Sequence, residues 1–334
     1  MGVAIGDIIN PYAERCSLEY FSSKTLAVDG NNAVYQFLSS IRQRDGTPLM
    51  DSRGRVTSHL SGLLYRNSNI VENGTRLVYV FDGRPPLLKH RTLDERASRK
   101  RKAEGEWRDA LERGDLEKAK TKAAQTSRLT TDLIEDSKDL LGALGIPVIQ
   151  APQEGEAQAA FMASRGDCFA SVSQDYDSLL FGVPLLARNV AVTGRRKLPG
   201  RNEYVEITPE TISLAEVLSG LGITREQLVD IGIIIGTDFN DGISGYGPKK
   251  ALAAVKEGRD ILKDVENCDE IRRLFLEPAV TEDYVLEWRE PDEEKVLEML
   301  CEEHDFSEDR VKKALEKFGQ KAESKKQKTL DFFG

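Results

Sequence analysis

Cysteine and histidine are scarce in this chain. Its four cysteines, Cys16, Cys168, Cys268 and Cys301, show no CxxC spacing. That argues against a disulfide framework or a zinc site and suits a reducing compartment. The three histidines, His59, His90 and His304, are too few for a histidine-rich metal centre. Long apolar runs are missing as well. None approaches the roughly 18 residues of a spanning helix, and the N-terminus lacks the basic-then-apolar pattern of a secretory leader. A cytoplasmic protein without membrane contact is expected. Positive charge is in deficit, with 47 Lys/Arg against 56 Asp/Glu and a net charge of −9. On its face this argues against binding nucleic acid.

The distribution of charge alters that view. From Arg84 to Arg128, 14 Lys/Arg stand against 8 Asp/Glu, a local excess of about +6. Acids, in turn, gather at the ends of apolar runs. Asp29 follows Thr25 to Val28, Asp82 follows Leu77 to Phe81, Glu154 lies just beyond Ile146 to Ile149, and Asp175 just beyond Phe169 to Ser173. In an open parallel sheet the functional crevice lies outside the carboxyl ends of the strands. Acids ending different strands therefore meet there, and such a cluster calls for a cation. Oxygen ligands favour magnesium or manganese.

The order of elements supports an α/β fold with a mixed, mostly parallel central sheet flanked by helices. The pattern predicts strands over Lys24 to Asp29, Arg76 to Asp82, Ile146 to Gln150, Cys168 to Ser173, Pro184 to Asn189 and Tyr204 to Ile207. It predicts helices over Ala33 to Arg44, Thr130 to Leu144 and Glu156 to Ser164. Between the first helix and the second strand, Asp45-Gly46 and Arg53-Gly54 suggest a hairpin. Thr208-Pro209 reads as a helix start, and Thr224 to Gln227 as a capping box. From Leu88 to about Gln125 the chain is rich in Lys, Arg, Glu and Ala, which predicts helices with few apolar anchors, a mobile excursion broken at Gly114-Asp115. Beyond Asp260 the chain reads as helical and acidic.

Glu154 and Glu156 are two residues apart, as are Asp175 and Asp177. In extended backbone such pairs face one side. Asp238 follows an apolar helix and the turn Gly236-Thr237. A site of this kind, with two divalent ions about 4 Å apart, activates water and stabilises a leaving oxygen without a histidine or cysteine nucleophile. Single acids at strand ends also serve as helix caps or solvated loop residues. Gly245, Gly247, Pro248, Lys249 and Lys250 form a glycine-rich turn between apolar helical runs. It suits a phosphate clamp of the helix–hairpin–helix type, which reads no bases, and equally an ordinary helix–helix turn. Lys89, Arg91, Arg96, Arg99, Lys100, Arg101 and Lys102 crowd directly after Asp82, where they can grip a single strand or remain a solvated helix face. Tyr35 is placed to stack on a base or to fill the core.

Together, the segments Val80 to Pro86, Ala151 to Ala157, Asp175 to Asp177, Gly236 to Asp238, Gly245 to Lys249 and Trp288 to Glu293 resemble the archaeal-type flap endonucleases of the structure-specific 5′-nuclease family. The resemblance runs from Met1-Gly2-Val3 to the C-terminus. It implies cleavage of 5′ flaps near the single-strand/duplex junction, with 5′-3′ exonuclease activity, in DNA replication and repair. It implies two magnesium ions, for which manganese substitutes, held by Asp29, Asp82, Glu154, Glu156, Asp175, Asp177 and Asp238. Lys89 and Arg96 match residues that contact the scissile phosphate, and Tyr35 matches an aromatic that stacks beside it. Arg99 and Lys100 fall in the basic arch. Gly245, Gly247, Lys249 and Lys250 fall in the duplex clamp, which in the family also holds a monovalent cation. Gly2 resembles an N-terminal glycine lying near the DNA.

The implied organisation is a monomeric nuclease domain over 1–320. It comprises an N-terminal part (1–83), a helical arch (84–128), an internal part with the hairpin (129–258) and a C-terminal helical part (259–320). A disordered tail (321–334) follows, with a sliding-clamp motif of Gln327, Leu330, Phe332 and Phe333. Its aromatics arrive one residue earlier than the family pattern. A phosphatase built on Asp175-Tyr176-Asp177 is the other enzyme class considered. Ser178 and Leu179 do not continue its motif, and the basic segment and hairpin have no place in it. A non-catalytic junction binder is a third reading, but all seven acids are present.

Overall fold

The computed structural model describes residues 2–191, 194–197 and 204–330. Nine strands are described, β1 (Ala13–Arg15), β2 (Thr25–Asp29), β3 (Arg76–Phe81), β4 (Val148–Gln150), β5 (Ala170–Val172), β6 (Leu185–Arg188), β7 (Gly194–Lys197), β8 (Tyr204–Ile207) and β9 (Glu210–Ser213). Seven form one sheet in the order β1-β9-β6-β5-β2-β3-β4, and β7 pairs β8 separately. The five strands from β6 to β4 run parallel, and β9 and β1 join antiparallel at the other end. The chain builds outward from β2 to β3 and β4, then returns to lay β5 and β6 on the opposite flank. That reversal puts the switch point, and hence the crevice, between β2 and β5.

Both faces of the central strands are covered, which is why they read as unbroken apolar runs. Leu26, Val28, Leu77, Tyr79 and Phe81 pack among Phe37, Leu63, Leu140 and Val311 on one face. Ala27, Val78 and Val80 alternate to the other, against Ala159, Met162, Leu286 and Trp288. A second core joins Val3, Ile5 and Ile9 to Leu179, Leu228, Ile231 and Phe275. The capping box at Thr224 and Gln227 is formed as expected. Gly145 takes φ 71° after the helix Thr131–Ala143.

Four readings differ. A helix, Ser58–Glu72, occupies what the sequence suggested was only a connection. Its buried side includes Ser58, His59, Asn67 and Ser68, which blur the apolar period. The turns before it do fold back, with bridges Arg42–Pro48 and Met50–Val56. Thr208-Pro209 opens strand β9 and not a helix. The residues that follow pair with both β6 and β1, and sheet pairing overrides the local proline signal. The helix starts later, at Leu214, capped by Ser213. The last helix runs Glu308–Leu330, past the expected boundary at 320, because residues 320–330 are mostly Lys, Glu, Ala and Gln and contain no Gly or Pro. Phe332 and Phe333 lie outside the described residues, as do the side chains of Gln327 and Leu330. Finally, the basic excursion has anchors the composition concealed. Helices His90–Glu112 and Leu116–Ala124 bury Ala103, Ala110, Ala119 and Ala123, and Lys122 meets Glu106 at 2.5 Å.

Candidate active site

The acids come together at the switch point, each delivered by a different local device. Asp29 ends β2 and caps the helix Gly30–Ser40, accepting from the Asn32 amide at 3.0 Å. Asp82 follows β3 and accepts from the Gly155 amide at 2.7 Å. Its own amide donates to Asn31 Oδ1 at 3.1 Å. Asp175 accepts from Asn32 Nδ2 at 2.9 Å. Asp177 accepts from the Val3 amide at 2.6 Å, so the extreme N-terminus is threaded into the site. A Cβ at Gly2 would stand 2.6 Å from Asp175 Cβ. Glu156 accepts from Ser173 Oγ at 2.7 Å and Ser178 Oγ at 3.0 Å. Asp238 is carried by a tight loop in which Gly236 (φ 109°) and Gly242 (φ 74°) lie back to back, tied by Asn240 Nδ2 donating to the Ile233 carbonyl at 2.7 Å.

The expected geometry of the i,i+2 pairs is not what unites them. Tyr176, between Asp175 and Asp177, has right-handed helical backbone and precedes the helix Asp177–Leu180. Glu154 is extended, but Glu156 already lies in the helix Gly155–Ser164. The passage from strand to helix instead distributes them through the cluster, with Glu154 beside Asp82 and Asp238 and Glu156 beside Asp29, Asp175 and Asp177.

Electrostatics records the crowding. Burial, then the charges of Asp82 and Asp175, hold the Asp29 carboxyl well above the usual range. Burial together with Asp29, Asp177 and Asp175 does the same to Glu156. Asp177 is pushed up to about 7, first by burial and then by Asp238. Burial also raises Asp82 and Glu154, against the pull of Lys89. Lys89 donates to Glu154 Oε2 at 2.5 Å and lies 3.8 Å from Asp238 Oδ2. Burial opposes its charge, but Glu154 and Asp82 outweigh that and raise its pKa above the ordinary lysine value.

Among the described residues, no group of three or more His, Cys, Asp or Glu side chains is arranged, as it stands, to hold a metal ion. Lys89, Asn32 and the backbone amides take up carboxylate lone pairs instead. The chemistry of the donor set nevertheless suits a hard divalent cation, since the acids are mutually repelling and oxygen-only, with Asp29 and Asp177 buried and the others partly buried. The residues that sequence reading missed are those holding the acids in place, namely Asn31, Asn32, Ser173, Ser178 and Asn240. Only Asn31-Asn32, directly after Asp29-Gly30, left a sequence signal, as polar residues opening an otherwise apolar helix.

Around the acids, Tyr35 is half-buried, with Lys100 Nζ 5.2 Å from its ring centroid, so the arch reaches over the aromatic. The side chains of Arg96 and Arg99 lie outside the described atoms, although both residues belong to the helix His90–Glu112. The glycine-rich turn joins helices Arg225–Ile235 and Pro248–Lys256. Gly245 has φ 82°, Gly247 precedes Pro248 at the helix start, and a Cβ on either would meet nothing within 4 Å. Lys250 folds back to the Gly245 carbonyl at 3.1 Å and onto the Tyr246 ring at 4.4 Å, while Lys249 is exposed.

Two family descriptions match this chain, the XPG N-terminal domain over residues 1–103 and the XPG I-region over 145–238. Between them they span all seven acids. Flap endonuclease 1 of Thermococcus onnurineus is 55% identical over 341 residues, covering 100% of this chain and 99% of its own. The Pyrococcus furiosus enzyme of that name is 54% identical, covering 99% and 98%. The chain belongs to the flap endonuclease 1 family. A solved structure, flap endonuclease-1 from Methanococcus jannaschii, superposes with a TM-score of 0.77 at 44% identity, covering 95% of this chain and 98% of that one. The flap endonuclease 1 family is one of metal-dependent nucleases, and the mixed α/β sheet flanked by helices matches that solved structure. No helix among the described residues is long and apolar enough to cross a membrane.

Proposed function

We propose that this chain cuts 5′ flaps near the single-strand/duplex junction and trims 5′ ends at the same site, in DNA replication and repair. The observation that supports this reading most is the mutual repulsion of the seven carboxylates around the β2/β5 crevice, with the partly buried cation of Lys89 among them. Asp29, Asp82, Glu154, Glu156, Asp175, Asp177 and Asp238 hold the metal, which we take to be magnesium with manganese as a substitute. When bound, it activates water and stabilises the leaving oxygen of a phosphodiester.

The protein's own groups do the rest. Lys89 and Arg96 bring positive charge to the scissile phosphate from the base of the arch. Tyr35 offers a ring face for the adjacent base. Arg99 and Lys100 hold the single strand. Gly2 lies close to the acids, beside the DNA path. The turn from Gly245 to Lys250 grips duplex phosphate through open backbone, with a monovalent cation completing it, and reads no bases. The enzyme acts as a monomer in the nucleoid. Gln327, Leu330, Phe332 and Phe333 dock on the sliding clamp, and deleting 327–334 removes clamp stimulation while sparing cleavage of a free flap.

The test is Asp175→Asn assayed on double-flap, nicked and bubble substrates, with magnesium and with chelator. Loss of cleavage with retained flap binding is expected. Cutting by the variant at the wild-type rate would sink the assignment.

A further inference from the structure

Beside the acids, a second network uses none of them. The Tyr176 phenol donates to Asn10 Oδ1 and accepts from Arg188 Nη1 at 2.6 Å. Arg188 Nη1 also reaches Glu210 Oε1 at 2.9 Å, and its guanidinium carbon lies 4.4 Å from the Tyr176 ring centroid. Arg188 and Glu210 are register partners on β6 and β9, so this end of the network is fixed to the sheet. The other end is the N-terminal segment. A Cβ at Gly6 would stand 3.3 Å from the Tyr176 ring, and Asn10 lies four residues on. That same segment supplies the Val3 amide to Asp177.

We propose that Arg188 is a positioning residue for the Asp175–Asp177 pair, acting through the Tyr176 side chain. Tyr176 sits between the two acids, at the backbone turn into the helix Asp177–Leu180. Whatever fixes its ring therefore fixes the turn from which both carboxylates project. Arg188 fixes it in two ways, by a hydrogen bond to the phenol and by a cation over the ring face. The placement carries a cost, for Arg188 Nε is buried with no acceptor among the described atoms. The phenol and Glu210 therefore decide where the guanidinium lies. Because the ring also packs on the segment carrying Val3, one arginine steadies both the acid turn and the amide that orients Asp177.

The inference rests on the proposal that Asp175 and Asp177 hold metal, and the experiment separates the two. Manganese binding to the DNA-free full chain is measured by electron paramagnetic resonance for wild type, Asp175→Asn, Tyr176→Phe, Arg188→Lys and Arg188→Met. The magnesium needed for half-maximal cleavage and the melting temperature in chelator are recorded alongside. Residues that orient metal ligands typically change affinity by about 10- to 100-fold when replaced. Arg188→Met is expected to weaken manganese binding about tenfold. It should raise the magnesium requirement to match, and saturating magnesium should restore most of the rate. Tyr176→Phe should move the same way by less, and Arg188→Lys should retain part of the wild-type affinity. If Arg188→Met does not fold, Tyr176→Phe and Arg188→Lys decide alone. Should Asp175→Asn bind manganese like wild type, the metal assignment fails and takes this inference with it. Should Asp175→Asn weaken binding while the foldable Arg188 and Tyr176 variants match wild type, the metal assignment stands and the positioning role is overturned.

Discussion

Lys89 and Glu154 meet at 2.5 Å although 65 positions separate them, and Asp238 lies 3.8 Å from the same ammonium group. The arch base is thus bonded to the acid site. Replacing Lys89 with Met removes a cation from among partly buried carboxylates and, on the proposed function, from the scissile phosphate. Single-turnover cleavage is expected to fall about 100-fold or more, in the range seen when a group stabilising developing charge is removed. Flap affinity should change little, and Lys89→Arg should recover part of the rate. A Lys89→Met enzyme with the wild-type single-turnover rate would exclude the role.

The raised carboxyl groups set a pH dependence for the metal-free protein. Asp177 keeps its proton in the folded state until about pH 7, whereas in the unfolded chain it loses it near 4. Asp29 and Glu156 shift in the same direction. Between those limits the folded state binds more protons, so stability falls as pH rises. In chelator the melting temperature is expected to be higher at pH 5 than at pH 7.5. Added magnesium should stabilise most at the higher pH, where the carboxylates are ionised. A melting temperature that climbs from pH 5 to 7.5 in chelator would contradict the described cluster.

Gly242 is a place where a single methyl group should matter. Its φ of 74° suits glycine, and a Cβ there would press into the Ile235 carbonyl. The left-handed conformation alone costs other residues about 1–2 kcal/mol. Gly242→Ala is expected to shift the loop bearing Asp238 and to reduce cleavage well beyond its effect on melting. Alanine at Gly245, also at positive φ but facing open space, should leave the acid site intact and weaken duplex binding only. Equal cleavage losses in the two variants would show that the tight loop has no special link to the site.

The proposed duplex grip of the hairpin lysines predicts an effect on binding alone. Lys249→Ala with Lys250→Ala should weaken duplex binding about equally for all sequences. The slope of log affinity against log salt should become shallower by about 2, close to one unit for each phosphate no longer neutralised. An unchanged slope would remove these two side chains from the duplex interface.

Much of the site's framework was legible because strands buried on both faces leave an unmistakable apolar run, and the acid ending each run stands at the sheet's carboxyl edge. Asp29, Asp82 and Asp175 could be placed on that basis. What was not legible depended on tertiary partners. Helix Ser58–Glu72 turns polar residues inward, where His59 is fully buried beside Asp136 at 3.8 Å. No periodicity rule anticipates that. Strand β9 follows a proline that normally favours a helix start, and only its two sheet neighbours make it a strand. The convergence of Asp175 with Asp177 was expected for the wrong local reason, since the turn at Tyr176 and its distant partners Asn10 and Arg188 set it.

The bond from the Val3 amide to Asp177 closes a span of 174 residues. Pairings so distant in sequence are slow to form, because the chain must give up loop entropy before they return any stabilisation. Synthesis from the N-terminus therefore leaves residues 2 to 9 waiting for a partner that emerges much later, with Asp238 later still. A nascent or half-folded chain can hold β2, β3 and the helices around them and yet lack a complete ring of acids. The crevice is therefore finished only by the last long-range closures, so the order of synthesis is also the order in which the acid cluster is assembled.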